Sequence, residues 1–154
     1  FAVEQLAIAA QRSAAKGYTS RTHWVEADAL RLPFETAQFD ALTMGYGLRN
    51  LLDISQGLSE LHRVLKPGAK AAVLDFHRPS SEWVGQFQQW YLNTIVVPAA
   101  ERFGLSEEYA YIGPSVERFP IGNEQVSLAH AAGFSEAVHY PLAGGMMGIL
   151  VAQK

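Results

Sequence analysis

Cysteine is absent from these 154 residues. That excludes disulfides, thiolate nucleophiles and cysteine-ligated zinc, yet leaves the compartment open, because reduced cytosolic proteins can also do without cysteine. Long apolar runs are missing too: nothing approaches the roughly 20 residues that a membrane-spanning helix needs. The start lacks a signal-peptide layout. Opening at Phe1 instead of Met, the chain is expected to have lost its natural N-terminus and any targeting information with it. Basic charge is in short supply, with 12 Lys and Arg against 15 Asp and Glu and a net charge of -3. No segment concentrates it, so the salt-sensitive phosphate contacts of nucleic-acid binding have no footprint and no nucleic acid is expected as a partner. The five histidines, at 23, 62, 77, 130 and 139, show no ligand spacing, so no metal site is expected. Repeats, low-complexity tracts and a GxGxxG fingerprint are also lacking.

What is present is the balance of a globular domain, 49% hydrophobic and 18% charged, enough for a core of useful size in a single domain over residues 1–154. Val3, Leu6, Ala7, Ala10 and Ala14 fall at helical spacing and stop at Gly17, which predicts an amphipathic helix over 2–16. His23 to Glu26 reads as a short strand. Asp28 to Phe34 reads as a loop, because Pro33 disfavours helix in the residue before it. Phe39 to Met44 is a second strand. Asp53 caps the next helix, with Gln56 placed as in a capping box and Ile54, Leu58, Leu61 and Leu65 as its buried stripe. Lys66-Pro67-Gly68 ends that helix, and the apolar run Ala71 to Phe76 suits a parallel strand covered on both faces.

Trp83, Phe87, Trp90 and Tyr91 then recur at helical intervals up to Pro98. A loop-rich, insertion-like stretch surrounds them, over about 79–122, through Gly104, Gly113-Pro114 and Phe119-Pro120. Asn123 caps a helix ending at Gly133, and Ala137 to Tyr140 and Met147 to Ala152 close the chain as two strands. Alternating strands and helices argue an α/β class.

In open α/β sheets, ligands bind beyond the carboxyl ends of the strands. Three segments occupy such places: Asp28-Ala29, Gly45 to Asn50, and Asp75 to Pro79. An acceptor beside small apolar residues at Asp28-Ala29 would suit an adenine ring, although such an Asp is more often a loop residue. Gly45 and Gly47 allow close backbone approach, or simply a turn. Arg49-Asn50 could orient a substrate oxygen and a water; on chemistry alone the plainer reading, Arg49 paired with Asp53 and Asn50 opening a helix, is favoured. Asp75 and His77 resemble an acid-base pair, or one ligand beside one structural group. The aromatic stripe is core by default, since aromatics at helical spacing usually are. Residues 82–97 contain no Lys or Arg, which counts against this helix as a membrane anchor by itself.

The order of several motifs carries more than any one of them. Asp28-Ala29, Leu32-Pro33-Phe34, Phe39-Asp40, Gly47-Leu48-Arg49-Asn50, Arg63-Val64-Leu65-Lys66-Pro67-Gly68 and Ala132-Gly133-Phe134 follow one another as in the menaquinone, phylloquinone and ubiquinone biosynthesis methyltransferases, which this chain resembles. Gly47 to Asn50, Leu74-Asp75-Phe76, Tyr109 through Tyr111 and Ser115 to Pro120 narrow the likeness to that quinone group. The resemblance implies a class I, Rossmann-like fold with S-adenosylmethionine as cofactor and a prenylated quinol as substrate. It makes Asp28-Ala29 the adenine-side contact, Gly45 a contact near the methionine part of the cofactor, and Arg49 with Asn50 the active-site pair. Leu74 to Pro79 looks closer to photosynthetic bacterial members, which implies a phylloquinone or menaquinone type of ring. The location implied is cytoplasmic, with peripheral contact at a membrane surface.

In that family a strand, a glycine-rich turn and a second strand ending in a ribose-binding acid come before the segment that resembles Phe1 to Leu6. The superfamily strand order is 3-2-1-4-5-7-6, so the chain as given is expected to lack strands 1 and 2. Two exposed edges should follow, and with them an intertwined or edge-paired homodimer, or a local closing of the gap by the His23 strand. Two other readings stay open: a different small-molecule methyltransferase, and a catalytically silent dimerising fragment.

Overall fold

The computed structural model describes residues 3–79, 81–96, 98 and 112–154. In chain order these form α1 (Val3–Ala15), β1 (Phe39–Gly45), α2 (Ile54–Val64), β2 (Leu65–Phe76), α3 (Glu82–Tyr91), α4 (Ile112–Arg118), α5 (Gly122–Ala131), β3 (Glu136–Leu142) and β4 (Met147–Gln153). The sheet has four strands in the order β1-β2-β4-β3. β1 and β2 are parallel, while β4 runs antiparallel to both β2 and β3. Taken in sequence, this is the 4-5-7-6 half of the expected superfamily order.

The core lies where α2 and α5 cover one face of this sheet. Leu58 and Leu61 of α2, Leu65, Ala71 and Val73 of β2, Ala129 of α5, Phe134, and Leu150 and Ala152 of β4 are buried together with Leu48. Each fully buried leucine contributes roughly 1.5–3 kcal/mol. The alternation that puts Ala71 and Val73 inside puts Ala72 and Leu74 on the other face, where they are only half buried. β2 therefore differs from the expected strand covered on both faces. On β3 the same face presents Val138 and Tyr140 to solvent.

α2 begins as expected: the Asp53 carboxylate accepts from the Gln56 backbone N–H at 2.9 Å, a cap worth about 1 kcal/mol. The capping box is not reciprocal, because the Gln56 amide donates instead to the Leu30 carbonyl at 3.2 Å. That bond ties the Asp28 loop to the end of α2 nearest the β1 exit. Glu60 and Arg63 fix the rest of this loop. The Arg63 guanidinium is forked onto Glu60 (2.7 and 2.8 Å) and reaches the carbonyls of Leu32 and Phe34, while Glu60 accepts the Leu32 N–H at 2.8 Å. The Arg63 donors hold the Glu60 carboxyl below its usual range.

Four further expectations change. Residues 23–26 form no strand, and among the described residues only the isolated Asp28–Arg31 bridge lies in this region. A strand exists only against a partner, and β1 stands at the sheet edge without these residues beside it; the His23 segment does not close the gap. Leu65 is buried as the first residue of β2 and not as the last turn of a helix. The interval Lys66 to Ala69 is accommodated by a register shift and by Gly68 at φ 77°. The loop-rich stretch contains α4, which tolerates Pro114 because its first turn has no internal bond to lose. α5 starts one residue before Asn123, with Glu124 reaching back to the Ile121 N–H at 2.9 Å.

Candidate active site

The loops following β1 and β2 meet through one ion pair. Arg49 Nη1 donates to Asp75 Oδ1 at 2.6 Å, and the two side chains are only 8% and 4% exposed. Asp75 Oδ2 also accepts the Arg49 backbone N–H at 3.1 Å, and its Oδ1 accepts the Phe76 N–H at 2.8 Å. Arg49 Nε donates to Ser115 Oγ at 3.2 Å, which brings in α4, and the guanidinium lies over the Phe76 ring at 5.1 Å. A buried charge needs such a set of partners, because desolvation otherwise outweighs the attraction. Arg49 is therefore not the surface partner of Asp53; it bridges β1, β2 and α4. Asp75, spent on Arg49 and two backbone donors, does not act as the partner of His77.

Tyr46 is the residue this arrangement positions. Its carbonyl accepts from Arg49 Nη1 at 3.2 Å and from Asn50 Nδ2 at 3.1 Å, and its N–H donates to the Leu74 carbonyl at 2.8 Å. Held on both sides, Tyr46 adopts φ 55°, a left-handed conformation that a bulky residue enters only under constraint. Its ring, 42% exposed, tilts against Phe76 at 5.3 Å, with the hydroxyl directed at Met147 Sδ. The Arg-Asn pair thus clamps the turn that presents an aromatic ring at the carboxyl end of β1. Among the described residues, Arg49 Nη2 has no hydrogen-bond partner. Sequence reading missed Tyr46 and Ser115; the only local signal for Tyr46 was its place between two glycines.

Asp28 and Ala29 stand in the loop pinned to α2. Asp28 Oδ1 accepts the Leu30 N–H at 2.8 Å in a side-chain turn, with the residue exposed. Ala29 lines a groove of about 370 Å³ along β1, with Leu32, Phe34 and Met44. Gly45 is exposed, and nothing lies within 4 Å of the place a Cβ would take. An exposed carboxylate oxygen beside an apolar wall, and open space at Gly45, fit the adenine and methionine ends of the expected cofactor.

His77 lies instead against His139, with ring centroids 4.5 Å apart, and its buried Nδ1 has no hydrogen-bond partner among the described residues. Burial, then the neighbouring His139 and Arg78, lower its pKa from 6.5 to about 4. Burial lowers His139 in the same direction. A histidine depressed in this way binds its proton more readily once unfolded, so its stabilisation is complete above 6.5 and is lost as pH falls towards 4. Denaturant titrations at pH 7 and pH 5 should show stability falling by about 1–2 kcal/mol. His77→Phe should flatten this dependence; a slope unchanged in that variant would contradict the assignment.

Comparison with known proteins follows the same lines. The whole chain, residues 1–154, matches the family model described as ubiE/COQ5 methyltransferase family. It is 60% identical over its full length to a 2-phytyl-1,4-naphtoquinone methyltransferase of Nostoc punctiforme, covering 67% of that protein. It is 43% identical to the chloroplastic 2-phytyl-1,4-beta-naphthoquinone methyltransferase of Arabidopsis thaliana, covering 60% of it. Among solved structures, a SAM-dependent methyltransferase from Aquifex aeolicus matches with TM-score 0.65 at 17% identity, over 97% of this chain and 63% of that one. Haemonchus contortus phosphoethanolamine N-methyltransferase 2, in complex with phosphomonomethylethanolamine and S-adenosylhomocysteine, matches with TM-score 0.67 at 14% identity, over 97% and 41%. The fold is therefore that of S-adenosylmethionine-dependent methyltransferases, and the chain belongs to the ubiE/COQ5 methyltransferase family.

Proposed function

We propose that this chain carries the substrate side of an enzyme that C-methylates a phytylated or otherwise prenylated 1,4-naphthoquinol. The observation that carries the reading is the buried Arg49–Asp75 pair locking the Tyr46 turn at the carboxyl ends of β1 and β2. S-adenosylmethionine, when bound, supplies an electrophilic methyl group on a positively charged sulfur. Asp28 would accept a hydrogen bond from the adenine amine, Ala29 would wall the ring, and the open space at Gly45 would admit the methionine part. Arg49 Nη2 holds a water against a quinol hydroxyl; the water takes the proton, because an arginine this basic does not give up its own. With the cofactor bound, the chemistry supplied would be passage of the methyl group from sulfur to the electron-rich ring carbon, the carbon–sulfur bond breaking with its electrons kept by sulfur, and the ring proton would pass to water as aromaticity returns. Alignment is the main contribution of the protein.

For the 154-residue chain by itself, the open β1 edge is proposed as the surface of an edge-paired homodimer; a monomeric mass of that chain in sedimentation would contradict it. The substrate is greasy enough to reside in a bilayer, so the enzyme works peripherally at a membrane surface. No helix among the described residues is long and apolar enough to cross one.

The test uses calorimetric titration with S-adenosylhomocysteine. In a protein of the relatives' full length, Asp28→Ala should weaken binding by about tenfold, the loss of one good hydrogen bond to a charged group. Unchanged affinity would remove Asp28 from the site. No heat from the 154-residue chain at millimolar ligand would favour the silent-fragment reading for this chain alone.

A further inference from the structure

The aromatic stripe expected to lie in the core is instead on the surface. Trp83 is 83% exposed, Trp90 53%, Phe87 51% and Tyr91 41%. The opposite side of α3 is the attached one. Gln88 is buried, and its amide donates to the carbonyls of His77 at 3.3 Å and Met146 at 3.0 Å. Those two carbonyls belong to the loops at the carboxyl end of β2 and the start of β4, the end of the sheet where Arg49, Asp75 and Tyr46 meet. A ridge of rings therefore stands outward beside the candidate active site. Phe87 lies 5.8 Å from Trp90 and 6.3 Å from Tyr91, centroid to centroid, so these three rings adjoin, and Trp83 stands one helical turn before Phe87.

We infer that α3 docks on a neutral lipid surface, with Trp83, Phe87, Trp90 and Tyr91 entering the boundary between headgroups and acyl chains. Residues 83–98 contain no Lys, Arg, Asp or Glu, so the ring-bearing stretch itself is uncharged; the acidic residues beside it, Glu82 at the start of α3 and Glu117, which accepts from the Gln89 amide, do not attract an anionic headgroup. Trp and Tyr are the side chains whose ring and polar tip suit that boundary. A helix of this length lies on a bilayer and does not span it. The missing basic face, which counts against an anchor held by anionic lipid, defines the lipid: binding rests on apolar insertion into zwitterionic or uncharged lipid and is indifferent to salt. The inference builds on the proposed quinol substrate, since docking here puts the Arg49 end of the sheet where a molecule with a long hydrocarbon tail resides.

The experiment uses the 154-residue chain and phosphatidylcholine vesicles. In a Trp24→Phe background, only Trp83 and Trp90 report fluorescence. Their emission should move to the blue on adding vesicles and be quenched by lipids brominated close to the headgroup. The effect should survive a tenfold rise in salt. Replacing both residues, Trp83→Ser with Trp90→Ser, should lower partitioning by at least about tenfold, with the circular dichroism spectrum unchanged. Three results would overturn the inference. The first is no shift with vesicles. The second is binding confined to anionic vesicles. The third is emission already blue and shielded from acrylamide without lipid, which would mean that protein covers the ridge, a second copy if the mass doubles. Turnover of a tail-less, water-soluble naphthoquinol by the full-length protein tests the methyl-transfer reading without vesicles, so the two can fail separately.

Discussion

Arg49→Ala is expected to destabilise the chain by about 3–5 kcal/mol, the usual cost of leaving one member of a buried ion pair alone. Asp75 would remain among apolar neighbours with two backbone donors and no countercharge, and Tyr46 would lose one of the two clamps on its carbonyl. The double variant Arg49→Met with Asp75→Asn tests whether the loss is electrostatic. It removes both charges but keeps only one acceptor oxygen, enough for one of the two backbone N–H groups at positions 49 and 76, so it should recover part of the lost stability and not all of it. Turnover should not recover with it. In a full-length protein, kcat should stay at least about a hundredfold below wild type, while the affinity for S-adenosylhomocysteine changes by less than about threefold. Equal losses in both would make Arg49 a fold residue only. Full stability in Arg49→Ala would show that the pair is not buried as described.

Gly148→Ala should have the second largest effect, although it adds one methyl group. A Cβ on Gly148 would stand 2.3 Å from His139 Nε2, and one on Gly122 would stand 2.5 Å from His139 Nδ1. The imidazole is held between two glycines and against His77, so it must shift and give up that packing to admit the methyl group. Overpacking of this kind costs about 1–3 kcal/mol, or roughly 2–4 °C in Tm per kcal/mol for a chain of this size. His139→Ala in the same molecule should return most of that loss, giving a coupling energy of comparable size in a double-mutant cycle. A Gly148→Ala protein that melts at the wild-type temperature would mean that the histidine moves aside freely.

Local pattern was a reliable guide where a local rule decides the outcome. α1 ends before Gly17, Asp53 caps α2, and the pairs of strands follow the apolar runs, because spacing, a cap and a turn residue act within a few positions. The ordered motifs carried the family. The failures share the opposite property. The partner of Arg49 is 26 residues away in Asp75, not four away in Asp53. Residues 23–26 have strand-like composition and no neighbour to bond. The stripe on α3 has the spacing of a core helix, but Gln88 is the side chain that turns inward.

By itself, the sequence determined the α/β class, the four strands and their flanking helices α1, α2 and α5 in order, and the family. Those depend on periodicity and on short motifs read in order. Tertiary structure alone decided that Asp75 is the counter-ion of Arg49, that the pair strains Tyr46 outward, that His77 stacks on His139 between two glycines, and which face of α3 meets solvent. Ion pairing, ring packing and exposure are set by which distant segments converge, and the loops after β1 and β2 converge because the parallel pairing of those two strands puts their carboxyl ends side by side.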